Sequence, residues 1–532
     1  MLFTSYEFIA FLLILFAVYY LIPKKYQWML LLAGSYLYYF YAGPFYLLFI
    51  LTTTFTVWAT GILMTRKEKQ EKSFLSSERG KAFTKDEKKA FKAAGKKKRR
   101  RIMVLCLLLN LGILAVLKYT NFTINNINGL LDIFGSENKL SFVDLVLPMG
   151  ISFYTFQAVG YLVDVYRGTV KAQDNFFKFA LFVGFFPQLV QGPISRYDDL
   201  SKSLYEEHAF DWKNNVSMGL QRILFGFFKK VVIADRMLIA VNEIIGNTEQ
   251  YTGMYVFLGM IFYAFELYAD FTGGIDITIG VAQVLGIKVA ENFHRPFFSK
   301  SIKEYWRRWH ITMGTWFTDY IFYPISVSKG MLKLSKFSRS HFGEALGKRI
   351  PVYLSSFVVW FATGFWHGAS WNFIVWGIGN YVVIMISQEL EPLYRKFHAR
   401  VNTDGNTAYK IFTILRTFLL MSCLRSFDCY RDVPLTFKMF GTMFTTPNWG
   451  ILFDGSLMGL GLGIFDYCIL AFGLIVLFTV SMSQRKGPVR ARLATLPYWI
   501  KFAIWFGLFI IILLAGAYGV GYDASQFIYN QF

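Results

Sequence analysis

Apolar residues in this chain come in blocks close to the length that crosses a bilayer. Phe8 to Ile22, Ile102 to Leu117 and Ile500 to Ala515 each approach the roughly 20 residues that span the hydrocarbon as a helix. Lipid offers no partner for backbone N–H and C=O groups, so such blocks fold as helices or as a closed barrel. Barrel strands announce themselves as short alternating runs, a pattern not seen in this sequence. The blocks predict an all-α polytopic membrane protein of about a dozen helices. Composition agrees: 55% of the 532 residues are hydrophobic and 17% are charged, where soluble chains average about 25% charge. The first apolar run has no basic leader and no small-residue cleavage site, so it reads as a retained helix. Residues 1–532 show no long soluble stretch and no internal repeat, and read as one integral membrane domain. Cys106, Cys423, Cys429 and Cys468 lie in or beside apolar segments without a Cys-x-x-Cys pair, and read as small buried hydrophobes.

Charge fixes an expected orientation. The net charge is +21, and residues 66–101 hold 16 Lys/Arg against 5 Asp/Glu. Such a basic loop belongs on the cytoplasmic side of the cell membrane. Three apolar segments precede it, near 3–22, 28–42 and 45–65, which places the N-terminus outside. Arg485, Lys486, Arg490 and Arg492 put their loop inside, and a last helix at about 499–519 leaves residues 522–532 outside. Both termini are therefore expected to be extracytoplasmic. The basic stretches Lys329–Arg349 and Arg395–Arg400 also read as inside, so an even number of crossings separates them. The 351–386 segment is too long for one span at about 1.5 Å per residue, and is expected to break near Gly364–Gly368. Residues 66–101 carry only Phe74, Phe83 and Phe91 among their many charged residues, and no recognisable nucleic-acid fold. Anionic membrane lipids are the expected contact and nucleic acid is not.

Ionisable groups at membrane depth mark functional sites by default. His367 sits in Gly364-Phe365-Trp366-His367-Gly368-Ala369-Ser370-Trp371, at the expected break, with Asn372 five residues on. His310 ends the run Glu304-Tyr305-Trp306-Arg307-Arg308-Trp309-His310. Imidazole is the side chain best suited to move a proton near neutral pH. Two distant histidines in aromatic, Gly-rich surroundings favour catalysis over a structural role. Trp306, Trp309 and Trp316 suit a membrane interface. Arg307, Arg308 and Lys303 suit either the phosphates of a nucleotide-bearing donor or lipid headgroups. Glu266 and Asp270 share a helix face, and Asp276 follows the pair Gly273-Gly274, which is able to bend a helix. Ion pairs with nearby basic residues are the favoured reading of these carboxylates. No metal is expected: there is no His-x-x-x-His, and the lone Glu-x-x-His at Glu291–His294 has no partner motif. A Gly-x-Ser-x-Gly elbow and a phosphate loop are also absent.

In combination these motifs resemble the membrane-bound O-acyltransferase (MBOAT) family, over nearly the whole chain. Leu147-Pro148-Met149-Gly150, Asp164-Val165-Tyr166-Arg167-Gly168, Pro187-Gln188-Leu189-Val190-Gln191-Gly192-Pro193 and Tyr268-Ala269-Asp270-Phe271-Thr272-Gly273 carry the resemblance. Glu291-Asn292-Phe293, the Trp306–His310 run, the Gly364–Gly368 motif and the tail 527–532 add to it. It is closest to the bacterial branch that O-acetylates alginate and peptidoglycan. Gly274 and Ser426 are small departures from the family pattern. The resemblance implies helices around a central cavity or tunnel. It makes His367 the active-site histidine and His310 the second functional polar position.

The expected activity is transfer of an acetyl group from cytoplasmic acetyl-CoA to hydroxyls of an envelope polysaccharide. His367 is expected to act as base, with His310, Trp309, Trp306 and Asn372 orienting or stabilising, Arg307 and Arg308 at the donor, and Asp270 and Glu266 in support. Acetyl-CoA enters as a substrate; no bound cofactor is expected. The branch implies an extracytoplasmic partner similar to SGNH hydrolases. D-alanyl transfer to teichoic acid is the alternative within the family. From another class, a transporter or flippase would use Glu266, Asp270 and Asp276 as coupling groups.

Overall fold

A computed structural model describes residues 4–517 apart from 402 and 404. The tail motif at 527–532 and the outward-facing C-terminal end both lie outside the described residues. Helices dominate, and no strand occurs among the described residues. Among the described residues six helices are long and apolar enough to cross a membrane: Tyr46–Ser76, Lys85–Ile133, Met254–Val284, Thr407–Tyr430, Ile464–Lys486 and Tyr498–Ala515. A bent pair, Trp371–Glu389 with Glu391–Arg400, raises this to seven. The remaining helices are shorter or carry more charge. Many outer faces are apolar, and Leu514 is 83% exposed. Such faces are stable against lipid and would be a liability in water.

The chain divides into two compact units. The first holds residues 5–216 and 282–289. Its helices Tyr6–Leu21, Gln27–Ala42 and Tyr46–Ser76 coincide with the three expected apolar segments. The basic stretch 66–101 is not an irregular loop. The Tyr46–Ser76 helix runs on into it, and the 49-residue helix Lys85–Ile133 begins within it. Thr84 and Glu87 cap that helix reciprocally, Phe74 stacks on Phe91 at 4.9 Å, and Arg99 pairs with Glu71 at 2.5 Å. Lys, Glu and Ala are strong helix formers, so propensity sets the conformation of a stretch whose charge bears only on its expected side of the membrane. Below it, Ile151–Arg167 is buried along most of its length, with Tyr161, Phe179 and Phe182 in the core.

The second unit holds residues 217–281 and 290 onward. Ser217–Phe227 leads into a π-helical turn, Phe228–Ala234, and then into Asp235–Gly246. Met254–Val284 stays helical through Gly273-Gly274. The small residues serve close approach: a Cβ added to Gly226 would lie 2.7 Å from the Gly273 carbonyl oxygen. Lys329–His367 and Trp371–Glu389 form the expected hairpin, with the break at Gly368–Ser370.

Candidate active site

His367 is the last helical residue before the break. The hairpin closes tightly because Gly364 has no side chain: a Cβ there would collide with the Phe373 carbonyl of the returning helix. The imidazole is held by aromatic rings. Trp376 stands edge-on at 4.8 Å, Trp366 at 5.0 Å and Phe373 parallel at 6.4 Å between centroids. Asn372 is buried at the start of the returning helix. Its Oδ1 accepts from Ser370 Oγ, and its Nδ2 has no partner among the described residues. That amide is a donor held at the break and not consumed by the fold.

His310 is positioned by other means. It is fully buried between the short helices Ile302–Arg308 and Ile311–Phe317, with φ 45° and ψ 53°. A side-chain-bearing residue in this left-handed region costs about 1–3 kcal/mol, and such strain concentrates at functional sites. A clamp holds it there. Asn292 Oδ1 lies 3.3 Å from His310 Nδ1 and accepts from Thr312 N at 3.0 Å and Thr312 Oγ1 at 2.9 Å. The Asn292 carbonyl also accepts from Ile311 N at 2.9 Å.

Trp366 joins the two histidines: its ring lies 6.2 Å from that of His310 and 5.0 Å from that of His367. Around them Arg425 faces three tryptophans, Trp309 at 4.8 Å, Trp376 at 5.1 Å and Trp306 at 5.7 Å. Trp309 and Trp316 are buried within the protein and so do not face a membrane interface, while Trp306 is half-buried. A buried guanidinium draws aromatic faces inward. Arg425 Nε and one Nη have no hydrogen-bond partner among the described residues. Neither Asn292 nor Arg425 was marked as a site residue by sequence. Asn292 stood in a quoted motif, and Arg425 was a single arginine in an apolar run.

The carboxylates form ion pairs. Asp270 meets Lys230 at 2.6 Å, and Lys230 also meets Asp235 at 2.8 Å. Asp276 meets Lys229 at 2.6 Å and Arg222 at 2.8 Å, while Arg222 forks onto Glu291. Glu266 is buried, with Oε2 unpartnered among the described residues. The two lysines were the missing partners; their signal was a charged pair inside Phe227-Phe228-Lys229-Lys230-Val231-Val232. Arg307 is exposed, and Arg308 pairs with Glu304 at 2.5 Å. His294 lies outside the spans. Burial, then the Arg308 and Arg295 charges, hold its pKa below the ordinary imidazole range. A cavity of about 690 Å³ in this unit is lined by Arg222, Asp276, Glu291 and His294, and by neither His310 nor His367.

The MBOAT, membrane-bound O-acyltransferase, family pattern matches residues 171–427. The probable alginate O-acetylase AlgI of Pseudomonas aeruginosa is 30% identical over 503 residues, 92% of this chain and 85% of the relative. The chain belongs to the membrane-bound O-acyltransferase family. It is a multi-pass membrane O-acyltransferase. The peptidoglycan O-acetyltransferase of Helicobacter pylori is 29% identical, over 56% of this chain and 58% of its own. The teichoic acid D-alanyltransferase of Bacillus subtilis is 28% identical, over 48% of this chain and 62% of its own. The matched stretch of the acyltransferase contains His310, His367, Asn292 and Arg425, and ends before the helices Ile464–Ser483 and Tyr498–Ala515.

Proposed function

We propose that the protein transfers an acetyl group from cytoplasmic acetyl-CoA towards hydroxyls of an envelope polysaccharide. The observation that carries the reading is the shared Trp366, which puts two buried histidines in one aromatic cluster. His367 takes the proton of the acceptor hydroxyl as its oxygen attacks the thioester carbonyl. The C–S bond breaks as the new C–O ester bond is completed, and the proton passes from His367 to the departing CoA thiolate. Base catalysis of this kind contributes about 10²–10⁴-fold in rate. The carbonyl oxygen carries negative charge in the tetrahedral stage, so a preorganised donor there stabilises the transition state. Asn372 Nδ2 is that donor in this reading. His310 and Trp309 orient the cluster, Trp306 packs beneath Arg425, and the exposed Arg307 with Arg308 receives the CoA phosphates. The paired Asp270 and the buried Glu266 support the fold around them.

With residues 66–101 and 485–492 in the cytoplasm and both termini outside, the histidines stand between an inner donor and an outer acceptor. CoA then stays inside while the acetyl group crosses, to be taken up by an extracytoplasmic partner of SGNH-hydrolase type. One observation favours acetyl over D-alanyl transfer: the AlgI relative matches 92% of the chain and the D-alanyltransferase 48%. The ion pairs of Asp270 and Asp276 argue against a transporter that uses them as coupling groups.

The test is thioester turnover by the purified full-length protein, with acetyl-CoA against a D-alanyl carrier-protein thioester. Release of free CoA from acetyl-CoA, stimulated by a hydroxyl acceptor, is the expected result. Turnover of the carrier thioester alone would replace the acetyl reading with the D-alanyl one. Ion-driven uptake by vesicles with no turnover of either thioester would remove both.

A further inference from the structure

Most of the apolar lining of the 690 Å³ cavity comes from the part of the chain beyond the family match, with Phe225 and Phe293 added from within it. Phe472, Val476 and Val480 line it from one span, and Ile504, Leu508 and Ile511 from the last. A spacing of three or four residues turns one stripe of each helix inward. Elsewhere these helices face outward: 17% and 6% of their apolar windows are buried. The cavity is therefore a groove with flanks in lipid. Its volume falls within the range of about 300–1,000 Å³ typical of ligand sites.

One end of the groove is charged. Arg222, Arg490, Asp276 and Glu291 stand there, and an adjoining cavity of about 80 Å³ adds Lys229 and Arg295. Four cations thus face two carboxylates. Arg222 and Lys229 are already committed to Asp276, and Arg222 also to Glu291, while Arg490 donates to the Met218 carbonyl at 2.5 Å, a contact that leaves its charge unneutralised. Arg295 Nε is buried without a hydrogen-bond partner among the described residues. Arg492 shares the short helix Val489–Ala494 with Arg490, and Arg485 and Lys486 lie on the turn just before it. An excess of positive charge lining a cavity is costly unless an anion meets it.

We propose that the groove seats an anionic phospholipid, with the phosphate at Arg490 and Arg295 and an acyl chain along the two stripes. The apolar walls and lipid-facing flanks select an amphiphile over a soluble anion, and the charge excess selects an anionic headgroup over a zwitterionic one. The seat ties the last helix to the unit that holds the histidines. The inference does not depend on the acyl-transfer reading, and its test reads lipid binding alone.

Trp505 lines the groove and reports on it. The full chain is placed in phosphatidylcholine vesicles with rising fractions of brominated-chain phosphatidylglycerol or brominated-chain phosphatidylcholine. The Trp505 signal is the difference in quenching between wild type and Trp505→Phe. Phosphatidylglycerol should reach half-saturation at a fraction about fivefold lower, the effect of about one lipid-facing basic side chain. Arg490→Gln should remove most of that preference. Val476→Phe, which narrows the groove without touching the charges, should weaken both lipids and decides the matter if Arg490→Gln fails to fold. Equal half-saturation for the two lipids, or an unchanged response in folded Val476→Phe, would overturn the seat. Displacement by inorganic phosphate alone, or stronger displacement by a polyprenyl phosphate than by phosphatidylglycerol, would overturn the choice of ligand.

Discussion

His310 and His367 share a tryptophan yet are held by opposite means. His367 ends a helix that kinks well before it, at Gly343, and its place follows from a hairpin closed by glycines and walled by rings. Nothing local strains it. His310 occupies left-handed backbone, and a buried asparagine 18 residues earlier fixes both its ring and the next turn. The first arrangement is set by packing, the second by hydrogen bonds that oppose a backbone preference. Packing tolerates small volume changes by relaxation. A clamp fails when one acceptor is lost, because every buried donor it served is orphaned together.

The largest effect should fall at His367. His367→Ala removes the proposed base while helix and hairpin remain. Turnover should drop about 10²–10⁴-fold in protein that still inserts and purifies normally. Wild-type turnover in such protein would end the distinction between a catalytic and a merely packed histidine.

Asn292→Ala probes the clamp. It leaves His310 in place but strips acceptors from its ring and from Thr312. A displacement of about 1 Å costs on the order of 10²-fold in a positioned reaction, so kcat should fall by about that factor with KM for the donor little changed. Thr312→Val, which leaves the Asn292–His310 contact intact, should keep kcat near wild type. If both variants slow turnover alike, Asn292 supports the fold and does not position His310.

What the sequence made legible follows the same division. Hydropathy and charge predict apolar spans, an orientation for 66–101 and a break near Gly364–Gly368, which falls at Gly368–Ser370, because these depend on composition and on parity along the chain. Contacts between distant segments left no such trace. Lys229 and Lys230 partner Asp276 and Asp270, 47 and 40 residues further along, and no periodicity announces that. Trp306, Trp309 and Arg307–Arg308 have the composition of an interface, which is also the composition of a cation–π cage. The deciding residue, Arg425, lies 116 residues beyond Trp309. His310's left-handed backbone was equally invisible, since histidine is not the residue that usually marks φ above zero.

Gly364→Val sharpens the packing side. The added side chain meets the Phe373 carbonyl, and overpacking of this kind costs about 1–3 kcal/mol. Thermal stability in detergent should fall by that amount, and turnover should fall with it as the hairpin opens around His367. Unchanged stability would mean that the hairpin is looser than its glycines imply.

The smallest effect is the most discriminating, because it reverses sign between the two sites. At His310 the backbone is left-handed, where glycine sits without penalty and alanine pays about 1–2 kcal/mol. His310→Gly should therefore be more stable than His310→Ala by roughly 1 kcal/mol. At His367 the backbone is helical, where glycine loses about 0.5–1 kcal/mol to alanine. There His367→Ala should be the more stable of the pair. All four variants lack an imidazole, so loss of activity is common to them and the order of melting temperatures carries the information. The same order at both positions would show that His310 does not hold left-handed backbone in the membrane, and the clamp assigned to Asn292 would have nothing to oppose.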